Sequence, residues 1–291
     1  MQRRNSTTSL VEASIMAAIV VVLMLMAAYV PVLGTLSTFI LPIPITILVI
    51  RNDFRIALVS LVASTILSAM FLDPINAVSV LVLYGAVGLS LGFSIKRKNK
   101  AVLSVAIQAA AAVVGLVIST AMYIYLLLGS NIRVMLQSTL DMMNESINTS
   151  INMYSNMGVA VDFSKLTEYM SVMTVDTMLR LLAPIVVIYA FIIAFINYNI
   201  TRQVFRKMKI DIPSLPPFAN WYLDNRITAT MILLVCIGVI LSSSGFGVGS
   251  YLYIGSMYLI QVVFMLLGLC AVTYFLKKLL LPKKSFRGDK S

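Results

Sequence analysis

The chain has 291 residues, of which 60% are apolar and only 11% are charged, and its mean hydropathy is +0.96. Soluble domains average about 45–50% apolar and about 25% charged residues, so this composition excludes an ordinary soluble protein. The formal net charge is +11, and histidine is absent, which excludes a histidine-based catalytic triad and a histidine-ligated metal site.

Long apolar runs predict an all-α polytopic membrane protein. A helix that crosses a bilayer needs about 20 apolar residues, with a range of about 17–25. The runs are continuously apolar rather than alternating, which favours helices over a β-barrel. Eight spans are predicted, at residues 13–33, 36–50, 56–72, 77–95, 101–128, 180–198, 227–246 and 251–276.

Basic residues predict the orientation of these spans. Nineteen of the 22 lysines and arginines fall in segments that eight spans place on one side of the membrane. Because basic loops stay in the cytoplasm, both termini are predicted to be cytoplasmic in a multi-pass protein of the cell (inner) membrane. The lipid bilayer is the expected partner, and nucleic acid is not, because no basic-aromatic domain accompanies the charge. The basic segments are residues 1–12, 51–55, 96–100, 199–226 and 277–291.

The first two spans carry local signals. Ser9 and Glu12 fit a capping box that would start the first helix. Ala13 and Ala17 are small residues four apart, a spacing that lets another helix approach closely. They fit either internal packing or a docking surface for a partner. The second span contains Pro42 and Pro44 and is predicted to be kinked or partly unwound.

Two segments outside the spans divide the chain. Residues 129–179 show the period of an amphipathic helix on either side of Gly158, which predicts an extracytoplasmic helical hairpin. Residues 201–226 form a proline-rich cytoplasmic elbow. The predicted organisation is therefore a six-helix core over residues 1–200, this elbow, and a C-terminal hairpin with a basic tail over residues 227–291. The elbow residues predicted to dock a partner are Pro216, Pro217, Phe218 and Trp221.

Polar groups at membrane depth are expensive and suggest function. Gln108 and Gln261 lie within spans, and Asn197 lies near the inner end of the sixth. Arg180 fits either an interfacial ion pair with Asp176, four residues earlier, or an outward cavity that meets an anionic group. An aromatic belt and a small-molecule pocket would use the same outer residue types. The predicted contacts for a small molecule are Tyr29, Asp73, Asn76, Tyr123 and Arg180.

The sequence also lacks several signatures. It contains no G-x-x-x-x-G-K-[ST], no G-x-S-x-G and no H-E-x-x-H motif. An enzyme is therefore not expected, and neither a cofactor nor a metal site is predicted.

Several motifs resemble those of the YybS-like bacterial membrane proteins. They are the run Leu41-Pro42-Ile43-Pro44 leading to a basic turn, the basic end Lys96-Arg97-Lys98 of the fourth span, and Leu215-Pro216-Pro217-Phe218 followed by Trp221. The chain departs from that pattern at Tyr222-Leu223-Asp224, where a basic residue and a proline are expected.

Those proteins are in turn similar to the substrate-binding components of energy-coupling-factor vitamin transporters. The resemblance implies a six-helix core that binds a small molecule and docks a coupling membrane subunit bearing ATPases. It also implies that Ala13 and Ala17 match the family's A-x-x-x-A docking motif. The alternative is a membrane scaffold or assembly factor, without a substrate, that acts through protein partners.

Overall fold

The computed structural model of the protein describes residues 6–127, 129–157, 163–218 and 221–280. Within those ranges the regular structure is entirely helical, without a strand, as the sequence predicts. A π-helical turn, Tyr123–Leu127, extends the sixth helix. The helices are α1 Ser6–Tyr29, α2 Pro31–Ile40, α3 Pro42–Arg51, α4 Phe54–Ala69, α5 Pro74–Lys96, α6 Ala101–Met122, α7 Ile132–Asn156, α8 Ser164–Val172, α9 Val175–Lys207, α10 Asn225–Ser243 and α11 Gly247–Leu280.

Six helical stretches among the described residues are long and apolar enough to cross a membrane. The predicted spans 36–50 and 56–72 correspond to two shorter apolar stretches, Leu36–Arg51 and Phe54–Ala69. Six of the eight predicted spans thus correspond to helices long enough to cross, and the count of eight stays a prediction. The six long stretches are Thr7–Tyr29, Pro74–Lys96, Ala101–Leu126, Val175–Lys207, Asn225–Ser243 and Gly247–Leu276.

The chain divides into two compact units. Unit 1 comprises Met1–Leu179 and Ile185–Ser214, and unit 2 comprises Arg180–Pro184 and Leu215–Ser291. The division near residue 214 falls inside the predicted elbow 201–226. Large apolar side chains are exposed in both units, as expected for helices whose solvent is lipid.

The core of unit 1 is built where α3 packs on α5. Glycines permit the close approach: a Cβ atom added at Gly88 would lie 2.6 Å from the carbonyl oxygen of Pro42, and one at Gly92 would lie 2.5 Å from Cβ of Val49. The small-xxx-small spacing of the two glycines therefore serves packing within the protein. The main apolar cluster of this core contains Val20, Met24, Leu41, Ile45, Ala77, Leu81, Leu83 and Tyr84.

Polar contacts gather at one end of unit 1. Glu12 forms an ion pair with Arg51, with 3.3 Å between Oε1 and Nη2. The Asn52 amide donates to Glu12 Oε2 at 2.9 Å, and Lys96 Nζ donates to the Asn52 carbonyl at 2.9 Å. The start of α1, the turn after α3 and the end of α5 therefore meet.

The other end of α1 makes a corresponding contact with α4. The Tyr29 hydroxyl, on the last residue of α1, donates to the carbonyl oxygen of Phe71, just beyond α4, at 3.0 Å. The residues just before α4 therefore lie near the start of α1, and the residues just after α4 lie near the end of α1. The two helices thus extend side by side in the same direction.

The second span is interrupted at Leu41, between α2 and α3, where the sequence predicts a kink. Leu41 keeps helical dihedral angles of −53° and −37°, so the interruption contains no loop. Pro42 and Pro44 lack the amide hydrogens that would bond to the carbonyl oxygens of Thr38 and Ile40. The kink therefore frees backbone acceptors within an apolar segment.

The predicted capping box is wrong. Because α1 already includes Ser6, Ser9 lies inside the helix and is buried, so it does not occupy the N-cap position. Glu12 instead makes the contacts with Arg51 and Asn52 described above.

The segment between α6 and α9 contains two helices, as the amphipathic period predicts. The predicted interruption at Gly158 lies outside the described residues. Tyr154 of α7 and Phe163, directly before α8, place their ring centroids 5.8 Å apart. Within α7, Leu140 is the buried residue. Met142 and Met153 of this helix and Met157, its C-cap, are strongly exposed.

Unit 2 contains the α10–α11 hairpin. A Cβ atom added at Gly238 would lie 2.6 Å from the backbone nitrogen of Tyr253, so the two helices approach closely at that glycine. Most of the apolar side chains of both helices are exposed. The amide of Gln261, on α11, is also at an exposed position.

Candidate functional site

Two amide side chains meet inside unit 1, beside the kink. Gln108 of α6 and Asn197 of α9 are both completely buried. Gln108 Nε2 donates to Asn197 Oδ1 at 2.5 Å. Asn197 Nδ2 in turn donates to the carbonyl oxygen of Phe39 at 2.8 Å. The amide pair, Gln108 and Asn197, thus links α6 and α9 to the last turn of α2.

The amide pair is incompletely satisfied. Gln108 Oε1 is buried without a hydrogen-bond partner among the described residues, and so is Oγ1 of Thr201, one turn from Asn197 on α9. A buried polar atom that lacks a partner costs about 1–3 kcal/mol, so such atoms are rare and suggest an additional polar group at the site. Gln108 Oε1 can only accept, which makes a hydrogen-bond donor the matching group.

A second polar contact involves the same turn of α2. Tyr84 of α5, largely buried, hydrogen-bonds through its side chain to Thr38. Thr38 and Phe39 are adjacent at the end of α2. We call the set Thr38, Phe39, Tyr84, Gln108 and Asn197 the break site, because its contacts converge on the last turn of α2, next to the interruption at Leu41.

A buried apolar cluster adjoins the break site, with Ala112 one turn from Gln108 and Ile193 one turn from Asn197. In such low-dielectric surroundings a hydrogen bond is strong and an unpaired polar atom is costly. None of the five break-site side chains is a carboxylate or an amine, so the site suits an uncharged hydrogen-bonding group. The cluster contains Val87, Ala112, Ala190 and Ile193, with Phe39, Val113 and Leu116 packed against it.

Four of the predicted small-molecule contacts lie in unit 1, and the structure gives each a local role. Tyr29 bonds to the Phe71 carbonyl. Asp73 caps α5, and its Oδ2 accepts from the backbone amide of Asn76 at 2.9 Å. Tyr123 opens the π-helical turn and is 39% exposed. Tyr29 thus contacts the residue that lies two positions before Asp73 in the chain.

Arg180, the fifth predicted contact, belongs to unit 2. Its guanidinium carbon lies 6.0 Å from the ring centroid of Tyr251 on α11. Its Nε is buried without a hydrogen-bond partner among the described residues. Asp176, the predicted ion-pair partner, pairs with Arg133 of α7 at 3.0 Å in unit 1.

The predicted docking alanines pack inside unit 1. Ala13 and Ala17 are each 3% exposed. The Ser60 hydroxyl of α4 donates to the Ala13 carbonyl at 2.9 Å, and Ala13 clusters with Leu48, Val49 and Ala57. Of the two interpretations of this pair, the burial favours internal packing.

The predicted elbow residues form a local turn in unit 2. Trp221 Nε1 donates to the Pro216 carbonyl at 2.9 Å, and the Trp221 and Phe218 rings lie 5.4 Å apart. Pro217 and Phe218 are exposed. The preceding residues belong to unit 1, where the Tyr198 hydroxyl donates to the Pro213 carbonyl at 2.7 Å.

The sequence indicates that Gln108 and Asn197 are polar residues within spans, but it does not predict the hydrogen bond between them. The two residues are 89 positions apart, and no local pattern connects such distant residues. The proline pair in the second span marks the region, because an interrupted helix in a membrane needs polar partners from neighbouring helices, but it does not specify the Phe39 carbonyl that Asn197 contacts.

Residues 18–285 match the protein family described as "Predicted membrane protein (DUF2232)". The chain belongs to this family. It is also similar to a protein named "Uncharacterized protein YybS" from Bacillus subtilis (strain 168), with 23% identity over 284 residues, covering 96% of this chain and 88% of that protein. No solved structure matches. These matches confirm the resemblance to YybS-like proteins. The similarity to energy-coupling-factor components stays a prediction.

Proposed function

We propose that this integral membrane protein binds a small molecule in unit 1 as the substrate-binding component of a transport system. The observation that carries the proposal is the unpartnered Gln108 Oε1, held by Asn197 beside a kinked helix. Transporters commonly place their substrate sites where membrane helices are interrupted and polar side chains converge.

The chemistry of the break site specifies the ligand class. Its side chains are uncharged, and Gln108 Oε1 needs a donor. A neutral molecule with a hydroxyl or N–H group fits this requirement. Because Gln108 and Asn197 are completely buried, binding requires a second conformation in which the site opens.

We further propose that the chain crosses the membrane eight times, with both termini in the cytoplasm. The contacts of Glu12 and Lys96 with Arg51 and Asn52 support this, since they bring the turn after α3 to the basic end of unit 1. The stretches Leu36–Arg51 and Phe54–Ala69 would then be short crossings next to α1 and α5. A locally thinned bilayer accommodates such short helices at modest cost.

The proposal includes an energy-coupling partner. The sequence has no nucleotide-binding motif, so ATPases would have to come from another subunit. Ala13 and Ala17 are covered by the protein itself, which leaves the exposed side of α1, around Ile15 and Ala18, for such a partner.

Native mass spectrometry of protein purified gently from its host membrane tests the ligand. We expect a bound non-lipid molecule of defined mass in the wild type that is lost in Gln108→Leu and Asn197→Leu. Gln261→Leu, which removes an exposed amide of unit 2, is the matched control and should retain the molecule. A wild-type chain that carries only lipids would contradict the proposal.

The second candidate function is a membrane scaffold that acts through protein partners. It is favoured by α7, a 25-residue helix with Leu140 as its buried residue, and by the exposed Pro217 and Phe218 in the elbow turn. If this candidate is right, Phe218→Ala should release a co-purifying protein that Phe71→Ala, also an exposed phenylalanine, retains. Equal recovery in both variants would remove the elbow as a docking site.

A further inference from the structure

An apolar groove opens on the surface of unit 1, where the start of α4, the end of α5 and the first turns of α6 meet. Its walls are almost entirely apolar, and the aromatic rings of Phe54 and Phe93 are substantially exposed. The lining residues are Phe54, Leu89, Ser90, Phe93 and Ile107.

Cations border this groove at one end. Arg97 lies one turn beyond Phe93, and its guanidinium carbon is 4.2 Å from the centroid of that ring. Arg55 follows Phe54 directly in the chain. Lys100 is the N-cap residue of α6, the helix that contributes Ile107 to the groove.

The local charge balance is positive. Lys96 Nζ lies 3.8 Å from Asp53 Oδ1 and donates to the Asn52 carbonyl, so Asp53, which directly precedes Phe54, is already paired with a cation. Arg55, Arg97 and Lys100 are exposed. Three cations are thus available at the end of an apolar groove.

We propose that this groove is a binding site for one anionic phospholipid. The acyl chain would lie along the apolar walls, and the phosphate would meet Arg55, Arg97 and Lys100. Basic pockets between membrane helices suit anionic headgroups, and guanidinium groups bind phosphate through paired hydrogen bonds. The site is distinct from the break site and does not depend on the proposed transport function.

The test is a titration of delipidated, detergent-purified full-length protein, followed by native mass spectrometry. The probes are dioleoyl phosphatidylglycerol, which is anionic, and dioleoyl phosphatidylcholine, which is zwitterionic. We expect one phosphatidylglycerol per chain to remain bound at collision energies that remove phosphatidylcholine. Equal retention of the two lipids would overturn the proposal.

Matched variants test the position of the site. Each cation removed near a membrane surface lowers lipid affinity about fivefold, so Arg97→Gln/Lys100→Gln should weaken phosphatidylglycerol binding about 25-fold. The control Arg206→Gln/Lys207→Gln removes the same charge from the end of α9 and should change binding less than about twofold. Equal weakening by both double variants would show a general charge effect and overturn the proposal.

Two further variants keep the test decisive. Phe93→Ala should weaken binding of the same lipid, whereas Phe71→Ala, an exposed phenylalanine outside the groove, should not. If Arg97→Gln lowers the unfolding temperature, the double variant Arg55→Gln/Lys100→Gln, which changes two exposed side chains, is used in its place. Unchanged lipid binding in this double variant would overturn the proposal.

Discussion

Asn197 joins two helices through a single side-chain amide. It accepts from Gln108 and donates to the Phe39 carbonyl, so its removal leaves a donor and an acceptor unpaired. Removal of Gln108 leaves only Asn197 Oδ1 unpaired. Loss of Asn197 therefore breaks two hydrogen bonds and loss of Gln108 breaks one, although both side chains are completely buried.

This difference gives a prediction about stability. Gln108→Leu should change the free energy of unfolding by less than about 1 kcal/mol, because it leaves Asn197 Oδ1 unpaired but also removes the unpartnered Gln108 Oε1. Asn197→Leu should lower it by about 2–6 kcal/mol, because it leaves two buried groups, Gln108 Nε2 and the Phe39 carbonyl, without a partner. The double variant should lose less than the sum of the singles, because residues in one network do not act additively. Unfolding in mixed micelles measures these values. An additive double variant would contradict the network.

Two ion pairs of unit 1 differ in exposure and should differ in strength. The Glu12 side chain is 20% exposed and also accepts from Asn52, whereas Arg133 and Asp176 are 62% and 59% exposed. Glu12→Ala should cost about 1–3 kcal/mol, and Asp176→Ala about 0–1 kcal/mol. Guanidinium unfolding compares the two variants, and equal costs would contradict the role assigned to Glu12.

The residue types of the break site could be read from the sequence, but their contacts could not. A glutamine within an apolar span is conspicuous in any hydropathy profile. Which neighbour satisfies it depends on how α6 and α9 rotate about their axes, and packing across 89 residues sets that rotation. The capping role predicted for Glu12 is wrong for the same reason, since its partner Asn52 lies 40 positions away in the chain.

At the scale of elements, local chemistry predicts the interruption of the second span. Pro42 and Pro44 remove specific backbone donors whatever surrounds them, and α2 and α3 are separated at Leu41. The pair Ala13 and Ala17 shows the opposite situation. Its spacing specifies one shared face, but only the packing of α4 and α3 shows that the protein itself covers that face.

Neighbouring alanines of α1 test this packing. Ala17→Leu inserts three carbon atoms into a filled interface and should lower the free energy of unfolding by about 1–3 kcal/mol. Ala18→Leu, at the adjacent exposed position, should change it by less than about 0.5 kcal/mol. Thermal unfolding in detergent distinguishes the two. A stable Ala17→Leu chain that loses a membrane partner would instead support the docking interpretation.

At the scale of the whole molecule, the number of membrane crossings depends on two short helical stretches, whose length alone does not show whether they span the bilayer. Six stretches are long enough, and Leu36–Arg51 and Phe54–Ala69 are shorter. The predicted basic turn at residues 51–55 is brought to Glu12 and Lys96 by side-chain contacts, information that hydropathy does not contain. Composition predicts a polytopic helical protein. The proposal of eight membrane crossings depends on these contacts as well.

Cysteine labelling in intact cells tests the count. In a chain with Cys236 and Cys270 replaced by alanine, Asp53→Cys should be protected from a membrane-impermeant maleimide, because eight crossings place residue 53 in the cytoplasm. Ser150→Cys in α7 should be labelled, and Lys98→Cys should be protected. Labelling of Asp53→Cys would mean that the stretches Leu36–Arg51 and Phe54–Ala69 do not cross.

The most direct test of the proposed function asks whether water reaches the break site. In the same cysteine-free chain, Gln108→Cys and Ala112→Cys lie one turn apart on α6, and both native side chains are completely buried. A site that opens to admit a polar ligand predicts that 2-aminoethyl methanethiosulfonate modifies Gln108→Cys at least about tenfold faster than Ala112→Cys. Equal, negligible modification of both would mean that the amide pair is a closed structural contact, and it would contradict a binding function at this site.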